Sequence, residues 1–142
     1  MTMDIEYADM LLSVLIENSV RIFAAGFGVN CAEATLFQIV DLVREHPELK
    51  ESVLRRVACA LRVRDPGTLN PAHPPRELIV LLSHEFRWPE LRELARHRTE
   101  VTLHGDLALA ACDISHEIVE AQNDDWEDRE FYPRYAAKTS GG

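Results

Sequence analysis

Apolar residues recur three and four positions apart along most of this chain, and nowhere do they alternate for long enough to build a useful strand. That period restricts the fold to amphipathic helices packed on one another. Ala8, Leu12, Leu15, Ile16, Ser19, Ile22 and Phe23 share one face of a first helix over 4–25, and Gly26 and Gly28 stop it. A second helix is expected from Asn30, which can cap it, with Glu33 three residues on as in a capping box. Leu36, Ile39, Val40 and Val43 form its inner stripe. Pro47 forces a break after His46 and suits the first turn of a third helix, whose face is Leu49, Val53, Val57, Ala60 and Leu61.

Residues 64–74 (RDPGTLNPAHP) read as a loop, since Asp-Pro-Gly and Asn-Pro are turn signals. A fourth helix starts near Pro75 with Leu78, Leu81, Leu82 and Phe86 inward, and Trp88-Pro89 ends it and opens a fifth with Leu91, Leu94 and Ala95. Thr99, Val101 and Thr102 suggest a short extended piece over 99–105. A sixth helix is expected over 106–122, with Leu107, Ala110, Ala111, Ile114 and Ile118 on its face. The expectation is an all-α fold of six or seven helices in antiparallel pairs, because short connections make neighbours antiparallel. The chain's 142 residues suffice for a real core, with one helical domain over 1–136 and a flexible tail over 137–142.

Two stretches repeat. Pro47-Glu-Leu-Lys-Glu and Pro89-Glu-Leu-Arg-Glu lie 42 residues apart. At that offset Leu36 aligns with Leu78, Ile39 with Leu81, Val40 with Leu82 and Arg56 with Arg98. Residues 32–98 therefore resemble a HEAT-like or armadillo-like helical repeat, in which two-helix units of this length stack. The resemblance implies stacked pairs with polar end caps and an interaction surface rather than a catalyst. An irregular helical bundle is the alternative arrangement.

Net charge is -9, which disfavours nucleic acid as a partner. The charge is uneven, with -5 over 1–45, +2 over 46–105 and -6 over 106–142. Asp113, Glu117, Glu120, Asp124, Asp125, Glu127, Asp128 and Glu130 face Arg129 as the only base between 113 and 130, and Trp126, Phe131, Tyr132 and Tyr135 are interleaved. Aromatics supply anchor area and carboxylates steer a basic partner. Asp124, Asp125, Trp126, Glu127, Asp128, Glu130 and Tyr132 are accordingly the expected partner-binding residues. The other reading is a solvated acidic end with Trp126 and Tyr132 packed on the core. Small, acidic, helical and without a visible active site, the chain resembles bacterial immunity and antitoxin proteins. That resemblance implies a non-enzymatic inhibitor of a basic toxin such as a nuclease, and an adaptor or structural subunit of a larger assembly shares the same features.

Catalytic motifs are lacking: there is no GxSxG, P-loop or dinucleotide fingerprint, and no cofactor is expected. Two His-Glu pairs, His84-Glu85 and His116-Glu117, raise a metal question, and Asp113 and His116 are spaced to share a helix face. A small helical metalloenzyme using His84, Glu85, Asp113 and His116 would need three or four of them to converge. Surface or capping histidines are the simpler expectation, and no metal site is assigned. Arg55, Arg56, Arg62, Arg64, Arg87, Arg92, Arg96 and Arg98 could form a phosphate stripe, but pairing with nearby Glu48, Glu51, Glu90 and Glu93 is the better reading. Cys31, Cys59 and Cys112 are odd in number and widely spaced, which suits buried thiols in a reducing cytoplasm. Asp4, Glu6 and Asp9 before the first apolar run are unlike a secretory signal, and Glu17, Asn18 and Arg21 make that run too polar to span a bilayer.

Overall fold

The computed structural model describes residues 4–63 and 69–135; the expected tail over 137–142 and much of the 64–74 loop lie outside them, as does the side chain of Leu107. Every regular element among the described residues is helical. They are α1 (Ile5–Ala24), α2 (Val29–Glu45), α3 (Lys50–Leu61), α4 (Arg76–Phe86), α5 (Pro89–His97), the single turn α6 (Leu107–Ala110) and α7 (Ile114–Ala121). Two 3-10 turns, Pro47–Leu49 and Glu127–Phe131, and a π turn, Arg98–Thr102, join them, so helical segments exceed the six or seven expected.

Local chemistry sets most of the ends. Asp4 caps α1 by accepting from the Glu6 amide, and α1 gives out before Gly26, whose φ of +91° is costly for any residue with a Cβ. His46 leaves helical geometry ahead of Pro47, as steric conflict with the proline ring requires. Pro89 occupies the first turn of α5, where its missing N–H is not needed.

Three expectations fail for tertiary reasons. Asn30 does not cap α2, because Gly28 stands at the cap position and Glu33 instead accepts from the Arg134 amide. The 99–105 stretch is not extended but a π turn closed by the Leu103 amide on the Arg98 carbonyl. The helix expected over 106–122 is broken in two, since Asp113 takes an extended conformation and caps α7 by accepting from the Ser115 amide.

The helices pack side by side. α1 lies along α2, α2 along α4, and α3 along α5; α7 covers both α4 and α5. Residues related by the 42-residue offset are buried alike: Leu36 and Leu78, Ile39 and Leu81, Val40 and Leu82, Leu49 and Leu91. α1 packs on one side of these helices with Leu12 and Ile16, and α7 on the other with Ile114 and Ile118. Burial of these side chains contributes roughly 1.5–3 kcal/mol each before entropy is set against it.

The chain then folds back. Phe37 of α2 meets Tyr132 and Tyr135 edge-on, with centroids 5.8 and 5.6 Å apart. Arg134 lies over the Phe37 ring and reaches Asp41. The last described segment thus returns across α4 to α2, which lays residues 124–131 along α4, from Arg87 at its end to Arg76 and Glu77 in its first turn.

Two clamps hold the outer helices. Arg98 has no exposed side-chain surface and grips both oxygens of Asp113 at 2.7 and 2.8 Å while donating to the Leu61 and Val63 carbonyls at 2.7 Å. Those carbonyls would otherwise be orphaned at the end of α3. At the other side Arg56 donates to Asp9 and Ser13 of α1. Among the described residues no helix is long and apolar enough to cross a membrane.

Candidate functional site: an acidic face around an aromatic cleft

Asp124, Asp125, Glu127, Asp128 and Glu130 are all exposed. Trp126 and Tyr132 are not: they retain 7% and 3% of their surface and belong to the core. Of the two readings of this segment, Trp126 and Tyr132 follow the one that packs them on the core, so as exposed anchor area for a partner these two positions are corrected. The tight turn over Glu127–Phe131 carries its carboxylates outward between Trp126 and Tyr132, which point in. Phe131 is the aromatic left in solvent, 60% exposed.

The interior side of this segment is a polar-aromatic lock. His84, expected at the surface, is buried on α4. Its Nδ1 lies 2.7 Å from the Ala121 carbonyl and its Nε2 2.8 Å from the Arg129 guanidinium. A carbonyl can only accept and a guanidinium can only donate, so the ring is neutral with its proton on Nδ1. Burial, then the nearby Arg129 and Arg87 charges, hold its pKa below the usual histidine value against the Ala121 hydrogen bond. Trp126 packs on the same ring at 4.7 Å. Arg129 also lies 4.3 Å over Tyr135, whose hydroxyl donates to Glu85. Burial alone would raise Glu85, but the Tyr135 and Arg44 hydrogen bonds outweigh it and bring it below its ordinary value.

This lock has an electrostatic consequence outside. Arg129, the one base in the 113–130 stretch, is half-buried against His84 and Tyr135, so its donors are engaged there, although its charge still contributes to lowering Asp124. Among the described residues, two arginines reach them from elsewhere. Arg87 pairs with Asp124 at 2.7 Å and lowers its pKa. Arg76 pairs with Glu117 at 2.6 Å. Asp128 has no such partner among the described residues: partial burial first, then Glu117, Glu120 and Glu130, raise its pKa, and Arg76 only partly offsets them. Like charges beside a carboxylate disfavour its ionised form, and here they add to the larger effect of burial.

Asp128 also stands at the rim of a cleft of about 160 Å³ between α4, α7 and the Glu127–Phe131 turn. Trp126, Tyr132, Val29 and Val80 supply its walls, and Glu77, Glu117, Asp128 and Arg76 its polar groups. The Tyr132 hydroxyl is held well above its ordinary pKa by burial and by Glu77, Asp128 and Glu33. Sequence reasoning missed Val29, Arg76, Glu77 and Val80 as members of this site. They come from α2 and α4, and no local pattern ties them to the acidic segment.

The metal residues do not converge. His84 is committed to Ala121 and Arg129, Asp113 to Arg98 and Ser115, and His116 pairs with Glu120 on the surface of α7. Among the described residues no three His, Cys, Asp or Glu side chains are placed to hold a metal ion. Of the arginine pairings expected on exposed faces, Arg96 with Glu93 forms; Arg98 is instead buried and Arg56 reaches Asp9. Cys31 and Cys112 are exposed and Cys59 half-buried, all as thiols, so the expectation of buried cysteines is corrected. No family model, curated protein or solved structure matches the chain.

Proposed function

We propose that this chain is a non-enzymatic protein-binding domain whose acidic face docks a basic partner, in the manner of an immunity or antitoxin protein neutralising a basic toxin such as a nuclease. One observation carries the reading. Asp125, Glu127, Asp128 and Glu130 are exposed, while Arg129, the one base of the segment, is half-buried against His84 and Tyr135. Carboxylates that repel one another gain most when a cationic surface arrives, which favours fast, salt-sensitive association.

A stacked, HEAT-like arrangement of two helix pairs is part of the proposal. Its support is the matched burial at the 42-residue offset and the packing of α2 on α4 and α3 on α5. In this reading the rigid pairs carry the acidic segment, and the lock around His84 holds it in place. Two exposed, unpaired thiols suit a reducing cytoplasm.

Pull-down from the native host with the whole chain as bait, washed at low and then high salt, tests the proposal. A stoichiometric basic protein released by salt is the expected result. Replacing Asp125, Glu127, Asp128 and Glu130 with their amides should weaken capture at least about tenfold and flatten its salt dependence. Unchanged affinity in that variant would remove the acidic face from the reading.

A structural subunit is the second reading, and the outer face of α1 favours it. Tyr7, Met10 and Val14 lie at helical spacing there and are 55%, 59% and 56% exposed. Sedimentation equilibrium decides: a dimer dissociated by Met10→Glu supports that role, and a monomer at all concentrations excludes this face as a self-contact.

A further inference from the structure

The cleft beside Asp128 contains a polar atom that the fold leaves unused. Tyr132 is 97% buried, yet its hydroxyl makes no hydrogen bond among the described residues, and it is not sealed from solvent. Open to solvent and unbonded to the described residues, that hydroxyl is available to a group entering the cleft, as donor or as acceptor. Tyr132 lines the cleft, and the carboxylates of Glu77 and Asp128 are close enough to disfavour its ionisation. Neither carboxylate makes a hydrogen bond or ion pair among the described residues, whereas Glu117 is already held by Arg76. The walls around these three acceptors are Val29, Val80 and the Trp126 ring, with exposed Phe131 at the mouth.

Size narrows the occupant. At about 160 Å³ the cleft falls below the roughly 300–1,000 Å³ of pockets for drug-sized ligands. One long side chain is the suitable scale. Charge narrows it further: three carboxylates and one guanidinium surround the cleft, and aromatic faces attract cations. A phenol can accept a hydrogen bond from a cation while donating to a carboxylate. Two separated carboxylates and a phenol oxygen match a fork of several donors better than a point charge.

Resting on the docking reading above, we propose that this cleft is the receptor for a single arginine side chain of the basic partner. Its guanidinium meets Asp128, Glu77 and the Tyr132 hydroxyl, and its methylenes lie along Val29, Val80 and Phe131. The cleft then supplies register, and the exposed carboxylates around it supply attraction.

The test uses the full chain and N-acetyl-arginine amide as probe, followed by the nuclear resonance of the two indole N–H groups. Trp126 lines the cleft, while Trp88 stacks on Phe86 and carries Lys50, and serves as an internal reference. A saturable shift at Trp126 with Trp88 unmoved is expected, and the neutral citrulline analogue should produce none. Asp128→Asn and Tyr132→Phe, which keep size and shape, should each weaken the probe at least about fivefold. No saturation at Trp126, equal shifts from the citrulline analogue, or full affinity in both variants would overturn the proposal. The two readings fail separately. If Asp125, Glu127 and Glu130 control capture of a basic protein and the cleft variants do not, the face stands and the cleft falls. If arginine amide binds at Trp126 but no basic protein is captured, the cleft stands and the docking role falls.

Discussion

Arg56 and Arg98 stand 42 residues apart and clamp opposite sides of the molecule with unequal insulation. Arg56 reaches back from α3 to Asp9 on α1, with 19% and 38% of the two side chains exposed. Arg98 reaches forward to Asp113 at the start of α7, with 0% and 11% exposed. The same residue type at the same offset therefore fastens the first and the last long helix to the middle pairs. Water decides what each clamp is worth. Around Arg56 it reaches the partly buried pair, so losing the pair costs less. Around Arg98 it is excluded, and any partner removed leaves a charge stranded in the interior.

The largest expected effect follows directly. Arg98→Ala should lose about 3–5 kcal/mol, because Asp113 and the Leu61 and Val63 carbonyls are then left without their donor. Urea unfolding followed by circular dichroism measures it, and thermal unfolding should move down by about 10 °C or more. Arg98→Lys should recover only part of the loss, since an ammonium cannot hold two carboxylate oxygens and two carbonyls in one plane. A loss in Arg98→Ala no larger than in Arg56→Ala would break the comparison.

Acid should find the same clamp. Burial would raise Asp113, but hydrogen bonds from Arg98 and Ser115 outweigh it and bring its pKa down from 3.8 to about 2. The folded state thus binds this proton less readily than the unfolded chain. Its stabilisation is fully present above about pH 4 and is lost as pH falls towards 2. Asp113→Asn should be less stable than the parent chain at neutral pH, with the gap closing across that window. A gap independent of pH would mean that the carboxylate charge is not what matters there.

How much of this was legible in the sequence depends on how far each cause reaches along the chain. The ends of α1, α4 and α5 were readable because Gly26, Pro75 and Pro89 act on their immediate neighbours. The break before α7 was not, since Asp113 is drawn out of helix by an arginine fifteen residues away. Glu33 failed as a capping partner because it serves Arg134, 101 residues on. The acidic face was visible as composition, whereas its aromatic members proved to be core. Nothing local distinguishes a tryptophan that anchors a partner from one that packs on His84. The cleft was invisible for the same reason, as Val29, Glu77 and Val80 reach it only through packing of α2 and α4.

A third fastening sharpens the scale between the two clamps. The C-terminal lock is partly buried, so its members should rank between them. Tyr135→Phe should cost about 1–2 kcal/mol by stripping Glu85 of a charge-assisted hydrogen bond. His84 adds a pH signature. Its folded pKa is lowered from 6.5, so the neutral ring's contribution is full above about pH 6.5 and is lost as pH falls through the lower folded value. His84→Phe should remove that slope below about pH 6.5, read by urea midpoints at each pH. An unchanged slope would place the titration on another histidine.

Arg56→Ala is the smallest expected effect and the one that makes the comparison quantitative. Its guanidinium also donates to Ser13 and Ser52, so some loss is expected beyond the ion pair, yet all of these groups can turn to water once the arginine is gone. Asp9 is lowered mainly by its hydrogen bond from Ser52, with Arg56 contributing less, which already places most of its stabilisation outside the pair. The loss should therefore stay near or below about 1 kcal/mol and shrink further in high salt, where exposed pairs are screened. Double-mutant cycles for Arg56 with Asp9 and for Arg98 with Asp113, measured at two salt concentrations, separate pair energies from the packing of the arginine stems. If the Arg56 coupling matched that of Arg98 and ignored salt, solvent access would not be what divides the two sides of this fold.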